Sequence, residues 1–192
     1  MAWDFSTEPE FQAKLDWIRE FVETEIEPLD LAFSSHTVYD KSHPVHREVI
    51  RPLQAQVKAQ DLWACHLGPD LGGKGYGQLK LALMNEILGR SQWAPSVFGS
   101  QAPDSGNAEI IAHYGTEEQK AKYLQPLLDG EIVSCYSMTE PQAGSDPGQF
   151  KCRATQDGGE WVINGEKWFS SNLRFADFAI VMAVTDPDVS VY

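Results

Sequence analysis

The amino-acid sequence predicts an α+β protein, in which an all-α N-terminal helical domain precedes a truncated antiparallel β domain. Up to Gly130, apolar residues recur at spacings of three and four, the period of an amphipathic helix. After Gly130 the pattern changes to short apolar runs with turn residues between them. All helices precede the strands, whereas a βαβ chain alternates them. We therefore place a helical domain at residues 1–131 and a partial β domain at residues 132–192.

The first helix has a start signal and a stop signal. Thr7 and Glu10 have the spacing of a capping box, and Pro9 falls in the first turn, where its missing N–H costs nothing. Pro28 is expected to end the helix, because proline removes a hydrogen-bond donor and clashes with the preceding turn. One apolar stripe lies between these signals: Phe11, Leu15, Ile18, Val22 and Ile26.

Four further helices follow, and glycines or a capping box mark their ends. Gly89 and Gly115 are predicted to be left-handed C-caps, and Gly130 ends the last helix. Thr116 to Gln119 is a second capping box. The apolar stripes are Ile50, Leu53 and Val57; Leu79, Leu83 and Ile87; Ile110 and Ile111; and Tyr123, Leu124, Leu127 and Leu128.

The β domain is predicted from short apolar runs and tight turns. Residues 156–159 (QDGG) indicate a hairpin turn between strands at 150–154 and 161–163. Residues 132–138 form a strand before this hairpin, and the apolar run at 178–184 predicts a buried strand after it. No predicted element remains to pack against these strands, and open apolar sheet edges favour aggregation. We therefore expect a natural continuation to complete the sheet.

Composition and charge exclude several classes of function. The formal net charge of −13 argues against nucleic-acid binding, which requires a basic surface, and against adsorption to anionic lipid. No apolar run is long enough to span a bilayer, and the N-terminus has neither a signal peptide nor an Arg-rich transit pattern. The cysteines and histidines have no metal-ligand spacing, so no metal site is predicted. These observations predict a cytoplasmic protein with no nucleic-acid or membrane partner.

Two segments of the β domain carry residues suited to a flavin. They are residues 135–146 (CYSMTEPQAGSD) and residues 163–172 (INGEKWFSSN). An isoalloxazine ring needs an apolar wall, donors at its N1–O2 edge and a partner near N5. The first segment offers backbone N–H groups and a hydroxyl, and the second offers aromatic faces and hydroxyls. Spacing alone favours the simpler explanation, in which Trp-Phe packs a hairpin and Gly-Ser turns it.

The two segments belong to a longer series of motifs along the chain, and this series outweighs the simpler explanation. Residues 69–76 (PDLGGKGY), 85–90 (NEILGR) and 114–124 (YGTEEQKAKYL), followed by the two segments above, resemble the acyl-CoA dehydrogenase family in sequence order. The resemblance covers almost the whole chain and is highly specific. It departs from the usual family pattern at Gln142, Phe169 and Leu173. The WFSS run at 168–171 looks more like the larger, multidomain members.

The resemblance implies an FAD-dependent enzyme that converts an acyl-CoA thioester to the enoyl-CoA in fatty acid metabolism. Thr139 and the Met138 backbone would meet the pyrimidine edge of the flavin. Phe169 would lie against the ring, with Ser171 near N5. Ser145 would lie near phosphates of FAD or of the CoA substrate. The full set of implied cofactor-binding residues is Tyr136, Ser137, Met138, Thr139, Gly144, Ser145, Phe169, Ser170 and Ser171.

The resemblance also implies partners and a missing catalytic group. Family members pass electrons to an electron-transfer flavoprotein or a similar acceptor and form homodimers or homotetramers. Their catalytic base lies in a C-terminal helical bundle, and this sequence contains no such bundle. Glu140 matches a structural position, so no catalytic residue is assigned. We expect residues 1–192 alone to be inactive.

Two other hypotheses remain open at this point. The first is another flavin enzyme of the same fold, an acyl-CoA oxidase or a flavin monooxygenase. These differ in how oxygen reaches the reduced flavin, which no residue here reports. The second is a non-catalytic helical module that binds a partner protein. Its support is the absence of the bundle from the sequence.

Overall fold

The computed structural model describes residues 5–71 and 73–186. Gly72, within the 69–76 segment, and the last six residues, 187–192, lie outside the described residues. The chain divides into two compact units, residues 1–131 and residues 132–192. Across the described residues, no helix combines the length and the apolar character that crossing a lipid bilayer requires.

The first unit is helical, as the apolar spacing predicts. Every residue of the first predicted stripe is buried, and so are the three residues of the second. The core also contains Trp93 and Phe98, which no periodic pattern marked. The α-helices among the described residues are α1 (Pro9–Phe21), α2 (Glu27–Ala32), α3 (Arg51–Ala59), α4 (Gly77–Leu88), α5 (Ala94–Val97), α6 (Asp104–Tyr114), α7 (Glu117–Gln119) and α8 (Gln125–Asp129).

Prolines in this unit are accommodated by widened helical turns. Proline lacks an N–H and its ring clashes with the carbonyl four residues earlier. A π-helical turn, with hydrogen bonds to the fifth preceding residue, changes that geometry. The prediction that Pro28 ends the first helix is therefore wrong, since the helical path continues through α2 to Ala32. The π-helical turns are Val22–Ile26, His46–Ile50 and Lys120–Leu124, and the prolines that follow them are Pro28, Pro52 and Pro126.

One of the two predicted capping boxes forms. Glu8, not Thr7, is the N-cap of α1, and no side chain caps this helix. The Thr7 hydroxyl has no hydrogen-bond partner among the described residues, because the helix begins one residue later than the predicted box requires. The Glu8 carboxylate pairs with Lys80. The second box is confirmed. The Thr116 hydroxyl accepts from the Gln119 backbone N–H at 3.2 Å, and the Gln119 side chain accepts from the Thr116 N–H at 2.9 Å.

Replacing Thr116 by alanine is expected to lower the free energy of unfolding of the helical unit by about 1 kcal/mol, because the Gln119 N–H loses the hydroxyl that accepts from it. Urea denaturation followed by far-ultraviolet circular dichroism measures the change. Thr24→Ala is the control. The Thr24 hydroxyl bonds back to Glu20 within a helical segment, where alanine has the higher helix propensity. Equal losses in both variants would contradict the cap's role.

The remaining helix ends follow the predictions in part. Gly130 is left-handed, as expected at the end of α8. Gly89 instead has right-handed helical angles and Gly115 is extended, so neither is a left-handed cap.

The buried face of α4 also differs from the predicted apolar stripe. Leu79 is 47% exposed, while Met84 is buried with its neighbours Ile87 and Leu88.

The second unit contains two pairs of strands in the described residues. The hairpin of β2 and β3 is antiparallel and turns at the predicted Gly-Gly pair. β1 and β4, in contrast, are parallel, so the prediction of an antiparallel domain is correct for the hairpin and wrong for this pair. About forty residues separate β1 from β4, which is enough chain for the crossover that parallel strands need. The strands are β1 (Ser134–Ser137), β2 (Arg153–Asp157), β3 (Glu160–Asn164) and β4 (Phe178–Val181).

The hairpin and the parallel pair are linked through backbone contacts. The Ala154 N–H donates to the Val184 carbonyl at 3.0 Å, and the Val184 N–H donates to the Cys152 carbonyl at 2.8 Å. β4 is shorter than the predicted 178–184 strand and is only half-buried, which differs from the fully buried strand expected of an apolar run. Gly165 lies against the backbone of Cys152. A Cβ atom added to Gly165 would be 2.5 Å from the Cys152 Cα atom.

Candidate functional site

The first predicted flavin segment leaves the parallel sheet and enters a tight turn. Tyr136 and Ser137 are the last two residues of β1. Met138 and Thr139 follow and are half-buried. Glu140 and Ala143 then exchange backbone hydrogen bonds of 3.0 and 3.1 Å, which close the turn. Gly144 and Ser145 lie beyond this turn and are exposed. A Cβ on Gly144 would meet nothing within 4 Å, so its backbone is open to an approaching group.

The second segment presents its aromatic residues outward on a constrained backbone. Phe169 is 82% exposed and Trp168 is 48% exposed. Phe169 and Ser170 have positive φ angles of 69° and 31°, and the Ser170 N–H donates to the Trp168 carbonyl at 2.9 Å across the turn. A non-glycine residue in this region costs about 1–3 kcal/mol, and such residues cluster at functional sites. Trp168 and Phe169 meet edge to face at 6.0 Å.

Two hydrogen bonds join the segments. The Trp168 N–H donates to the Thr139 carbonyl at 2.8 Å. The hydroxyl oxygens of Ser137 and Ser170 lie 2.7 Å apart and share a hydrogen bond. Because the backbone at Thr139 is tied to the backbone at Trp168, the hydroxyl-bearing turn and the aromatic turn form one surface.

A buried ion pair connects the segments beneath this surface. The Glu140 carboxylate accepts hydrogen bonds from the Lys167 ammonium at 2.8 Å and from the Gln142 side-chain amide at 2.6 Å. It also accepts from the backbone N–H groups of Lys151 at 2.6 Å and Cys152 at 3.0 Å. The Lys167 ammonium donates a further bond of 2.7 Å to the Met138 carbonyl. The pair thereby connects the 138–143 turn, the start of the hairpin and the aromatic turn.

The environment of Glu140 keeps its carboxylate ionised. Burial by itself would raise the pKa of this group. The Lys151 N–H, the Lys167 ammonium and the other donors outweigh burial and lower the pKa from 4.5 to about 2. A carboxylate with this pKa and four hydrogen bonds is a poor proton acceptor near neutral pH. The geometry therefore supports a structural role for Glu140.

Several backbone donors face no protein acceptor. In the part of the chain that the structure describes, the N–H groups of Met138, Thr139, Gly144 and Ser145 donate to no backbone or side-chain acceptor. The N–H groups of Met138 and Thr139 stand next to the Ser137–Ser170 hydroxyl pair and the aromatic turn. Donors of this kind suit the polar edge of a flavin and the phosphates of a dinucleotide. The residues present thus fit FAD.

The structure brings together part of the predicted set. Ser137, Met138, Thr139, Phe169 and Ser170 belong to the two joined turns. Gly144, Ser145 and Ser171 are exposed, and the side chains of Ser145 and Ser171 make no hydrogen bond with the described residues. Tyr136 is half-buried in β1.

Lys167 is the residue that sequence reasoning missed. Its side chain is only 9% exposed and its ammonium lies 4.2 Å from the centre of the Phe150 ring. An isolated lysine in a turn resembles a solvated residue, and only its place between two motif residues, Glu166 and Trp168, could have singled it out. No group of histidine, cysteine or carboxylate side chains suited to a metal ion occurs among the described residues.

Comparison with known families gives two matches in chain order. The family model described as "Acyl-CoA dehydrogenase, N-terminal domain" matches residues 8–131. The model described as "Acyl-CoA dehydrogenase, middle domain" matches residues 135–191. Together they cover both compact units.

Relatives and solved structures agree with these matches. Acyl-CoA dehydrogenase family member 10 of Mus musculus is 37% identical over 177 residues, which are 88% of this chain and 16% of the relative. Family member 11 of Gallus gallus is 47% identical over 140 residues, 71% of this chain and 18% of the relative. A solved Mycobacterium abscessus structure, described as an acyl-CoA dehydrogenase, superposes with a TM-score of 0.82 at 33% identity and covers 96% of this chain and 48% of that one.

A second solved structure was determined with a reduced flavin. It is a glutaryl-CoA dehydrogenase from Mycobacterium smegmatis in complex with FADH2, with a TM-score of 0.67 and 25% identity, covering 94% of this chain and 44% of that one. The chain therefore spans about half the length of the structures it matches, and less than a quarter of the length of the mouse and chicken relatives.

Proposed function

Because the chain belongs to the acyl-CoA dehydrogenase family, we propose that it supplies the flavin-contacting part of an FAD-dependent oxidoreductase. The reaction is the α,β-dehydrogenation of an acyl-CoA thioester to the enoyl-CoA, within fatty acid metabolism. Residues 1–131 are the N-terminal helical domain, and residues 132–192 are part of the middle domain. The FADH2-bound glutaryl-CoA dehydrogenase among the similar structures supports the choice of cofactor.

One observation carries the proposal: open N–H donors at Met138 and Thr139 lie beside an outward-facing aromatic turn. The Trp168–Thr139 backbone bond holds these two features together. FAD, when bound, accepts the hydride that leaves the β-carbon of the substrate. The chain's own residues bind and orient the ring. The Met138 N–H and Thr139 hydroxyl meet its pyrimidine edge, and Phe169 covers one face.

The remaining site residues have supporting roles in this proposal. Ser170, bonded to Ser137, and the nearby Ser171 supply hydroxyls near flavin N5. Gly144 and Ser145 offer exposed backbone donors to a phosphate, and Ser145 also faces the CoA substrate. Tyr136, in β1, is a further cofactor-binding residue in this proposal. No residue of this chain serves as the catalytic base, and inactivity of residues 1–192 alone stays a prediction.

Partners, which rest on family membership, and a cytoplasmic location, which rests on the sequence, are further proposals. An electron-transfer flavoprotein or similar acceptor reoxidises the cofactor. The protein acts as a homodimer or homotetramer in the cytoplasm and binds neither nucleic acid nor membrane. The acidic balance of the chain, with 28 Asp and Glu against 15 Lys and Arg, supports the last point.

Thr139→Ala is expected to weaken FAD binding by about 1–3 kcal/mol, more for the reduced than for the oxidised cofactor, because the lost hydroxyl bond faces the edge where negative charge accumulates. Calorimetric titration with FAD and the midpoint potential of the bound flavin measure the effect. Thr155→Ala, at an exposed position in β2, is the control. Unchanged affinity and potential in Thr139→Ala would reject the role of Thr139, and no flavin binding by the unsubstituted protein would reject the function.

A further inference from the structure

A polar cavity in the helical unit lies outside every segment assigned to the flavin. Its volume is about 250 Å³. Drug-sized ligands occupy about 300–1,000 Å³, so this cavity suits a smaller molecule. Its wall comes from the π-helical turn before α3, from α3 itself and from the end of α8. The lining residues with charged or hydrogen-bonding side chains include Lys41, His43, Arg47, Arg51, Gln54 and Glu131.

The charge of this wall is opposite to that of the chain. The sequence has a formal net charge of −13. The cavity wall, by contrast, carries three cationic side chains and a single carboxylate, Glu131. A concave wall of one sign raises the local concentration of ions of the other sign. The cavity therefore attracts anions, although the chain as a whole is acidic.

Two of the cations form no ion pair at contact distance with the described residues, although Asp104 attracts the Lys41 ammonium from farther away. The side chains of Lys41 and Arg51 make no ion pair or hydrogen bond there. Arg47, in contrast, pairs with Glu48 at 2.9 Å on the exposed side of its helix. Burial lowers the pKa of Lys41, Asp104 opposes this shift, and the nearby Arg51 adds to it. A bound anion would offset both the burial and the repulsion from Arg51.

The histidines of the wall differ in what they offer. The His43 Nδ1 atom accepts the Val45 backbone N–H at 3.2 Å. The proton of the neutral ring is therefore on Nε2, which is a donor. His46 Nε2 lies 2.8 Å from the Thr37 carbonyl and donates to it, and burial lowers the pKa of His46. His46 is thus neutral, and its Nε2 is already bonded to the Thr37 carbonyl. His43 provides a hydrogen-bond donor to the cavity wall, together with Lys41 and Arg51.

We propose that this cavity binds the phosphate group of a small molecule, with Arg51 and Lys41 as its charged ligands and His43 as a further hydrogen-bond donor. Three types of donor on one wall suit a group with several oxygens and two negative charges. Arginine pairs with two oxygens of a phosphate at once, and lysine acts as a compact point charge. A neutral ligand would leave the repulsion between Lys41 and Arg51 uncompensated, so it fits less well.

Calorimetric titration of the purified protein with inorganic phosphate and with methyl phosphate, in chloride buffer of constant ionic strength, tests the proposal. Saturable binding of either probe is expected. Binding of inorganic phosphate alone would identify a free-anion site, and tighter binding of methyl phosphate would identify a site for a phosphate ester. No saturable binding of either probe would overturn the proposal.

Variants assign the binding to this cavity. Arg51→Gln and Lys41→Gln are each expected to weaken it by about tenfold or more, since a charge-assisted hydrogen bond is lost. Glu131→Gln is expected to strengthen it, because the carboxylate that lines the cavity loses its charge. Arg19→Gln, at an exposed position in α1, should change nothing. Circular dichroism of each variant verifies folding. Equal affinity in Arg51→Gln and Lys41→Gln would show that the phosphate binds elsewhere.

Discussion

Replacing Lys167 by methionine is expected to destabilise the β unit by about 3 kcal/mol, because the buried Glu140 carboxylate then loses its counter-charge. The ammonium also holds the Met138 carbonyl at 2.7 Å, so the substitution loosens the turn proposed to meet the flavin. Native-state hydrogen exchange measures both effects locally. The informative amides are those of Cys152, which donates to Glu140, and Trp168, which donates to Thr139.

Two further variants distinguish the loss of the ion pair from a general destabilisation of the β unit. Lys151→Met removes an exposed ammonium that forms no ion pair with the described residues, and it should leave exchange unchanged. The double variant Glu140→Gln with Lys167→Met should be less destabilised than the sum of the single changes, since no unpaired charge stays buried. Full additivity of the two substitutions would show that the pair is not coupled.

Acid should weaken the β unit in a defined range of pH. The pKa of Glu140 is about 2 in the folded chain and 4.5 in the absence of its neighbours. Since the folded pKa is the lower one, the contribution to stability is complete above pH 4.5 and is lost as the pH falls toward 2. The Glu140→Gln variant should lack this part of the pH dependence. An identical acid profile in both proteins would contradict the assigned role of the carboxylate.

The second large effect is expected in the helical unit, where Trp93→Ala should cost about 3–5 kcal/mol of unfolding free energy. Trp93 is 1% exposed, and its ring lies 5.8 Å from that of Phe33 and 5.6 Å from that of His46. Removing the indole leaves a cavity among rigid neighbours that cannot close around it. Urea denaturation measures the loss.

Leu31→Ala in α2 is the matched control for this prediction. It also truncates a large apolar side chain to alanine, but Leu31 is 93% exposed. Its expected effect is within about 0.5 kcal/mol, the range of ordinary surface substitutions. Comparable losses in the two variants would mean that exposure does not decide the cost and that Trp93 is not part of a close-packed core.

The sequence by itself determined the class of the fold and the α1 stripe. Helical periodicity depends on neighbours three and four residues apart, so Phe11, Leu15 and Ile18 could be assigned to one buried face without any tertiary contact. The Thr116 box and the Gly-Gly hairpin turn are equally local. The family resemblance rested on motif order and was confirmed by the two matched domains.

Features that depend on distant partners were decided only in the tertiary structure. Thr7 does not cap α1, because the helix as folded begins after Glu8, whose carboxylate pairs with Lys80 far along the chain. Pro28 does not end its helix, because the π-helical turn Val22–Ile26 before it changes the geometry with which the proline ring would clash. β1 and β4 pair in parallel. A long crossover connects them, and no turn signal in the sequence predicts it.

The same distinction holds for the candidate site. Its hydroxyls and aromatic residues could be named from the sequence, because the motif residues are contiguous. Lys167 could not, since its importance comes from burial beside Glu140, 27 positions earlier. The sequence determined which residue types are present at the candidate site. Tertiary packing decided which charge holds them in place, because Glu140 and Lys167 meet and become buried together only in the folded chain.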